Sequence, residues 1–354
     1  MPIPSTMKAV VLHGADDMHV ERRPVPAPAP GEVLLKVNVA SICGTDVKVL
    51  HRTLQGQPAG EFIMGHEYAG TVMALGPEVD EFKVGDRVAV EVHKGCERCE
   101  NCIKGWYTSC LNYGNVAKGH RAKGLTCDGG FAEYAVNHIN TLYRLPDNLT
   151  FEQACMVTTA ASPLWAIDLM GGYVAGETVL VQGPGPIGLI AVQLCKALGA
   201  ERVILSGTRD ERLAIGRRLG ADDVVNVRAE DLVARVREVT AGKGADSVLE
   251  CAGGPGSLQE ALECVKRGGR IGVVAWYAGP VQVDMNLAVR SNVRIYAARG
   301  EGGMNSGRTL ALMSQGKVVA DPIITHHFEL DEIHDAFRTY MERIGNALKV
   351  VIHV

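Results

Sequence analysis

A chain of 354 residues, 47% of them hydrophobic, is long enough for two cores and too apolar to be disordered. Its 36 basic and 40 acidic residues are interspersed and sum to −4, with no basic stripe carrying interleaved aromatics, so nucleic acid is excluded as an expected partner. No apolar run approaches the length of a membrane span, and Met1–Met7 lacks a basic region followed by an apolar core, so a cytoplasmic protein is expected.

About the first 150 residues read as short strands broken by Gly and Pro, the pattern of a compact β-rich domain. Pro24 to Gly31, with its repeated prolines, is a rigid connector. The apolar run Val33–Ala40 leads into Cys43-Gly44-Thr45-Asp46, and Gly65-His66-Glu67-Tyr68-Ala69-Gly70 follows. A thiolate, an imidazole and a carboxylate are the ligand types of an open catalytic zinc site. On their own, a cysteine and a histidine this far apart are more often a packed thiol and a satisfied histidine. Strands are expected at Thr71–Leu75 and Arg87–Val92, each beside a glycine turn. Next, Cys96, Cys99, Cys102 and Cys110 crowd into one segment of charged and small residues that reads as an exposed loop. Four thiolates so close can close a tetrahedral shell around Zn²⁺, leaving no position for chemistry. Disulfides are the alternative, disfavoured in a reducing compartment. The remaining five cysteines, Cys127, Cys155, Cys195, Cys251 and Cys264, read as small hydrophobes.

The texture changes at Thr150, which can cap a helix with Gln153 reaching back. Strand and helix patterns then alternate: Thr178–Gln182, Ile187–Leu198, Arg202–Ser206, Asp210–Leu219, with further strands at Ser247–Glu250 and Arg270–Val274. Alternation of this kind implies right-handed βαβ units and a parallel sheet. It weakens beyond Arg299. Gly183-Pro184-Gly185-Pro186-Ile187-Gly188 lies between a strand and a helix, the context that makes a Gly-x-Gly-x-x-Gly run a dinucleotide loop. Gly183 permits the turn, Gly185 admits the pyrophosphate to the backbone, and Gly188 allows close packing of helix on strand. A carboxylate for the ribose 2′-OH is usual about 20 residues on. Here Leu205-Ser206-Gly207-Thr208-Arg209-Asp210 puts Gly207 in that place, with Arg209 available to a 2′-phosphate. This favours NADP over NAD; the alternative is a solvated Arg209 with Asp210 on the ribose.

With these motifs in this order, essentially the whole chain resembles the medium-chain, zinc-dependent alcohol and polyol dehydrogenases, the sorbitol and threonine dehydrogenases among them. The resemblance implies an α/β protein: a GroES-like, β-rich catalytic domain over 1–156 and 299–354, with a zinc lobe at about 93–112, and a Rossmann domain over 157–298 with a doubly wound parallel sheet. It implies two zinc ions per chain, a structural one on Cys96, Cys99, Cys102 and Cys110 and a catalytic one on Cys43 and His66. Hydride would pass between a secondary alcohol or polyol, or the matching ketone, and the nicotinamide. Thr45 matches the hydroxyl that receives the alcohol proton. A homo-oligomer, dimer or tetramer, is expected.

Two positions depart from the pattern. Where many relatives have a proton-relaying histidine stands Lys48, with His51 three residues on, and either can substitute or be a surface residue. Where the third zinc ligand is usual, Met156–Ala161 places Thr159, a poor ligand. Glu67 is then expected to coordinate directly, with a role behind the ligands as the alternative and Cys155 as a further candidate. Trp165, Trp276, Tyr277 and Arg299 hint at a hydroxylated or acidic substrate, though each is more often packing or surface. The competing readings are a zinc-independent enone or quinone reductase on the same scaffold and, more remotely, a non-catalytic nucleotide-binding protein.

Overall fold

The computed structural model describes residues 2–354 and divides into two compact units. The first comprises Met1–Thr158, Gly300–Ser314 and Ile323–Val354; the second comprises Thr159–Arg299 and Gln315–Pro322.

The first unit is built on the strand Glu32–Ile42. Eight of its eleven residues are buried, on both faces of the strand, and this is why it reads as an apolar run. Around it a seven-stranded sheet has the order Leu142–Arg144, Arg87–Val90, Glu67–Leu75, Glu32–Ile42, Lys349–His353, Ile324–Glu329, with Tyr134–His138 also paired to Glu32–Ile42. A three-stranded antiparallel sheet, Asp17–Pro24, Thr6–Gly14 and Phe62–Ile63, contributes Val10 and Leu12 to a core shared with Val33, Leu35, Phe131 and Phe337. Past Arg299, where the sequence pattern weakens, a strand–helix–strand unit forms. Ile324–Glu329 and Lys349–His353 run parallel, joined through the helix Ile333–Glu342. The latter strand pairs antiparallel with Glu32–Ile42, Val350 opposite Ile42, which brings Lys349 level with Cys43.

The second unit is a six-stranded sheet in the order Asp223–Asn226, Arg202–Gly207, Thr178–Gln182, Ala245–Glu250, Val265–Val273, Arg294–Ala297, every neighbouring pair parallel. This is the doubly wound arrangement, and its order reverses between Thr178–Gln182 and Ala245–Glu250. Residues at the carboxyl ends of those two strands are therefore placed for a ligand. The capping box at Thr150 is present: Thr150 Oγ1 accepts from the Gln153 N–H, and Gln153 Oε1 accepts from the Thr150 N–H. Among the described residues no helix is long and apolar enough to cross a membrane.

Candidate active site

Cys43, His66 and Glu67 each offer a donor atom, and these atoms lie within 4.8 Å of one another. Local folding brings them together. Cys43 caps the helix Gly44–Leu50, and Asp46, at the third position of that helix, accepts the Cys43 N–H through Oδ2 at 2.8 Å. Its other oxygen, Oδ1, lies 2.8 Å from His66 Nδ1. Fully buried Asp46 thus fixes the ring and leaves Nε2 for the cluster. Glu67 sits opposite Ser41 in the antiparallel pairing, and its Oε2 accepts from Ser41 Oγ at 2.7 Å and from Lys349 Nζ at 2.5 Å. Thr45 Oγ1 is 3.9 Å from Cys43 Sγ.

The side chains of this group sit among strongly interacting charges. Against the cost of burial, the Asp46 carboxylate and the Cys43 thiolate raise the His66 ring well above its ordinary value. Burial opposes ionisation of Glu67, yet the Lys349 ammonium holds its carboxyl below the usual range, and Lys349 is raised in turn. Sulfur, imidazole and carboxylate converging in this way are the donor types of an open zinc site.

The remaining residues named from the sequence fall as follows. Burial lowers Lys48, which feels the Cys43 charge in the opposite direction. His51 ends the same helix at the surface, its Nδ1 2.5 Å from Asp16 Oδ1. Cys155 is buried with its thiol directed at the Val39 carbonyl, 3.2 Å away, and stands outside the metal-ligand group. Thr159 is buried in the helix Val157–Leu169. Tyr277 donates to Glu250 Oε2 at 2.7 Å, which commits its hydroxyl to the fold, and Trp276 is exposed. Asp46 and Lys349 were missed from sequence. An Asp three residues after Cys43 carries the capping signal that could have found the first; a lysine opening the apolar run Val350–Ile352 was the slight hint of the second.

Cys96, Cys99, Cys102 and Cys110 also converge within 4.8 Å, with the pairs Cys96–Cys102 and Cys99–Cys110 at 3.9 Å. A disulfide would be about 2.05 Å, whereas sulfurs about 2.3 Å from one zinc ion are about 3.8 Å apart. The loop is less exposed than its composition suggests: Cys96 and Cys110 are buried, because the thiols turn inward around the short helix Glu100–Ile103. Asn112 donates its amide to Cys96 Sγ at 3.1 Å. Despite the opposing effect of burial, that bond and the Arg98 and Cys99 backbone N–H groups hold the Cys96 thiol down to about 6, while burial pushes Cys102 up to about 12.

In the second unit, Gly183 follows the strand Thr178–Gln182 with φ +92°, and Gly185 caps the helix Pro186–Ala197 with Pro186 at its first position. Ile187 lies in the first turn. A Cβ on Gly188 would stand 1.9 Å from the Gly183 carbonyl, so only glycine fits. One on Gly185 would meet nothing, which leaves its backbone open to a ligand. Gly207 ends the next strand, where a Cβ would lie 2.4 Å from Pro184 Cδ. Thr208 is exposed, and Arg209 caps the helix Asp210–Arg218. Asp210 Oδ1 accepts from Asn226 Nδ2 at 2.7 Å.

Comparison with known proteins gives concordant likenesses. Residues 29–147 match the alcohol dehydrogenase GroES-like domain, and residues 186–314 match the zinc-binding dehydrogenase model. The chain is 37% identical over 352 residues to L-threonine 3-dehydrogenase of Pyrococcus abyssi, covering 98% of this chain and 97% of that one. To sorbitol dehydrogenase of Bacillus subtilis it is 31% identical over 355 residues, covering 99% and 98%. A zinc-binding dehydrogenase from Sinorhizobium meliloti solved with NADP superposes with a TM-score of 0.89 at 28% identity, over 99% of this chain and 100% of that one. An alcohol dehydrogenase from Escherichia coli solved with NADH superposes with a TM-score of 0.90 at 27% identity, over the same shares.

Proposed function

The chain belongs to the zinc-dependent medium-chain alcohol and polyol dehydrogenases, and from that premise we propose that it oxidises a secondary alcohol flanked by polar groups, with NADP as the preferred cofactor and two zinc ions per chain. The observation that carries the reading is the convergence of Cys43, His66 and Glu67 in front of a buried aspartate, in a chain that also holds the glycine loop.

Cys43 and His66 would hold the catalytic ion, with Glu67 as the third protein donor. What zinc and nicotinamide supply when bound is a Lewis acid for the alcohol oxygen and a hydride acceptor for its carbon. Thr45 takes the alcohol proton, since a hydroxyl accepts and donates at once. Lys48 and His51 are the candidates to pass it outward. Cys96, Cys99, Cys102 and Cys110 would hold the second ion for the sake of the fold. The backbone at Gly183, Gly185, Pro186, Ile187 and Gly188 takes the pyrophosphate, and Gly207, Thr208 and Arg209 face the adenosine ribose. The absence of a carboxylate at Gly207, with Arg209 two residues on, supports NADP. Arg209→Ala should therefore weaken use of NADPH more than NADH, by about 1.5–3 kcal/mol for a charged hydrogen bond. Equal losses with both cofactors would reject this assignment.

The relatives' names make L-threonine and sorbitol the first substrates to assay. Turnover of either, or of a related cyclitol or hydroxy acid, supports the reading; turnover of simple aliphatic alcohols alone would overturn the polar-substrate part. We read the protein as a cytoplasmic homo-oligomer; among the described residues the outer strand Arg294–Ala297 pairs along one edge only, which leaves the other edge open to a second copy.

A further inference from the structure

Two histidines and a glutamate converge on the first unit, none of them part of the groups described above. In the parallel pair of strands Ile324–Glu329 and Lys349–His353, His327 is paired with Val351. His353 lies two residues further along, so its side chain projects on the same face. The two rings stack, with centroids 5.7 Å apart and planes inclined by 16°. The capping box at Thr150 fixes the start of the helix Phe151–Cys155 and with it Glu152 in the first turn. Glu152 Oε1 is 3.2 Å from His353 Nε2 and 3.3 Å from His327 Nδ1, and the two nitrogens are 3.4 Å apart. Among the described residues these three side chains have no other hydrogen-bond or ion-pair partner.

The separations exceed those of charge-assisted N–H···O bonds, about 2.7–2.9 Å. They make instead a nearly equilateral triangle. Donors about 2.0–2.1 Å from a tetrahedral zinc ion stand about 3.3–3.4 Å from one another, the same edge. We infer that Glu152, His327 and His353 form a further metal site, for a divalent transition ion of the zinc, cobalt or nickel class. Two imidazoles and one carboxylate suit these ions better than calcium or magnesium, which take oxygen donors. The side chains are 32%, 48% and 38% exposed, so water completes the coordination and the ion exchanges with the medium. Its ligands come from a helix and two strands, one of which also carries Lys349. An ion that binds only when these elements are in place stabilises them by mass action and has no part in the reaction.

The test is equilibrium dialysis of the purified chain against free zinc in the micromolar range, with bound metal counted, for the unmutated protein and for His327→Ala, His353→Ala and Glu152→Gln. The readout is the difference between chains, so it does not depend on how many zinc ions are held elsewhere. The expected result is one more exchangeable zinc per unmutated chain, bound at least about tenfold more weakly in each variant, a cost of about 1.4 kcal/mol or more. Zinc should also raise the melting temperature of the unmutated chain more than that of the variants, with substrate turnover the same in all four. Equal zinc content in all four chains, or an equal rise in melting temperature in all four, would overturn the site.

Discussion

Glu67 is a buried carboxylate with two claims on it, the metal-ligand group and the Lys349 ammonium. If it is a ligand, Glu67→Gln replaces an anionic oxygen by a weak neutral one, and tightly held zinc, counted apart from the exchangeable ion on Glu152, His327 and His353, should fall from about two per chain towards one while the four-cysteine ion stays. Metal analysis reads this directly, and two tightly held ions in the variant would refute coordination by Glu67. Lys349 makes a separate prediction. Removing one partner of a buried pair strands the other charge, so Lys349→Met should destabilise the chain by about 3–5 kcal/mol. Adding Glu67→Gln to it should restore part of that loss, because the stranded charge disappears with it. Denaturant unfolding of the two single variants and the double variant checks the coupling; strict additivity would contradict it.

Among the elements, the thiol lobe is tied to the sheet through Glu91, which accepts from Tyr143 at 2.9 Å, from Ser306 at 2.6 Å and from Tyr107 within the lobe. Burial, reinforced by the neighbouring Glu301 carboxylate, pushes the Glu91 carboxyl up to about 7. A group raised in the folded state binds its proton more tightly there than in the unfolded chain. Its stabilising contribution is complete below the ordinary value of about 4.3 and is lost as pH rises through the folded value. The melting temperature should therefore fall from mildly acid to mildly alkaline pH, and Glu91→Gln should flatten that fall; an unchanged pH profile in the variant would contradict the assignment. The glycine loop carries its own constraint. Installing the usual acid, Gly207→Asp, drives a Cβ into Pro184, so it should weaken binding of both cofactors instead of switching preference to NAD. Fluorescence titration with NADH and NADPH would show which.

Much of this was legible in the sequence because it is local. The Thr150 cap, the glycine run between strand and helix, and the alternation that builds the parallel sheet are each set within a few residues. What escaped depends on distance along the chain. Lys349 meets Glu67 across 282 residues, through the strand register at Ile42 and Val350, and no motif near either residue announces the other. The C-terminal strand–helix–strand unit was muted for a related reason. The strand Ile324–Glu329 has only partly buried and exposed residues, so it lacks the apolar run that marks the buried strands of the second unit.

For the molecule as a whole, the family is that of the zinc-dependent dehydrogenases, and the chemistry proposed for this chain is hydride transfer dependent on a metal held by Cys43, His66 and Glu67. The competing chemistry on this scaffold, reduction of enones without zinc, needs none of Cys43, His66 and Asp46. The most direct measurement is turnover of L-threonine, sorbitol and related secondary alcohols with NADP and NAD, on the chain as isolated, after removal of its zinc by chelation, and after zinc is restored. The account predicts turnover that disappears with the metal and returns with it, and that Cys43→Ser abolishes while the four-cysteine ion remains bound. Undiminished turnover by the zinc-free chain, or reduction of enones by it, would contradict the account.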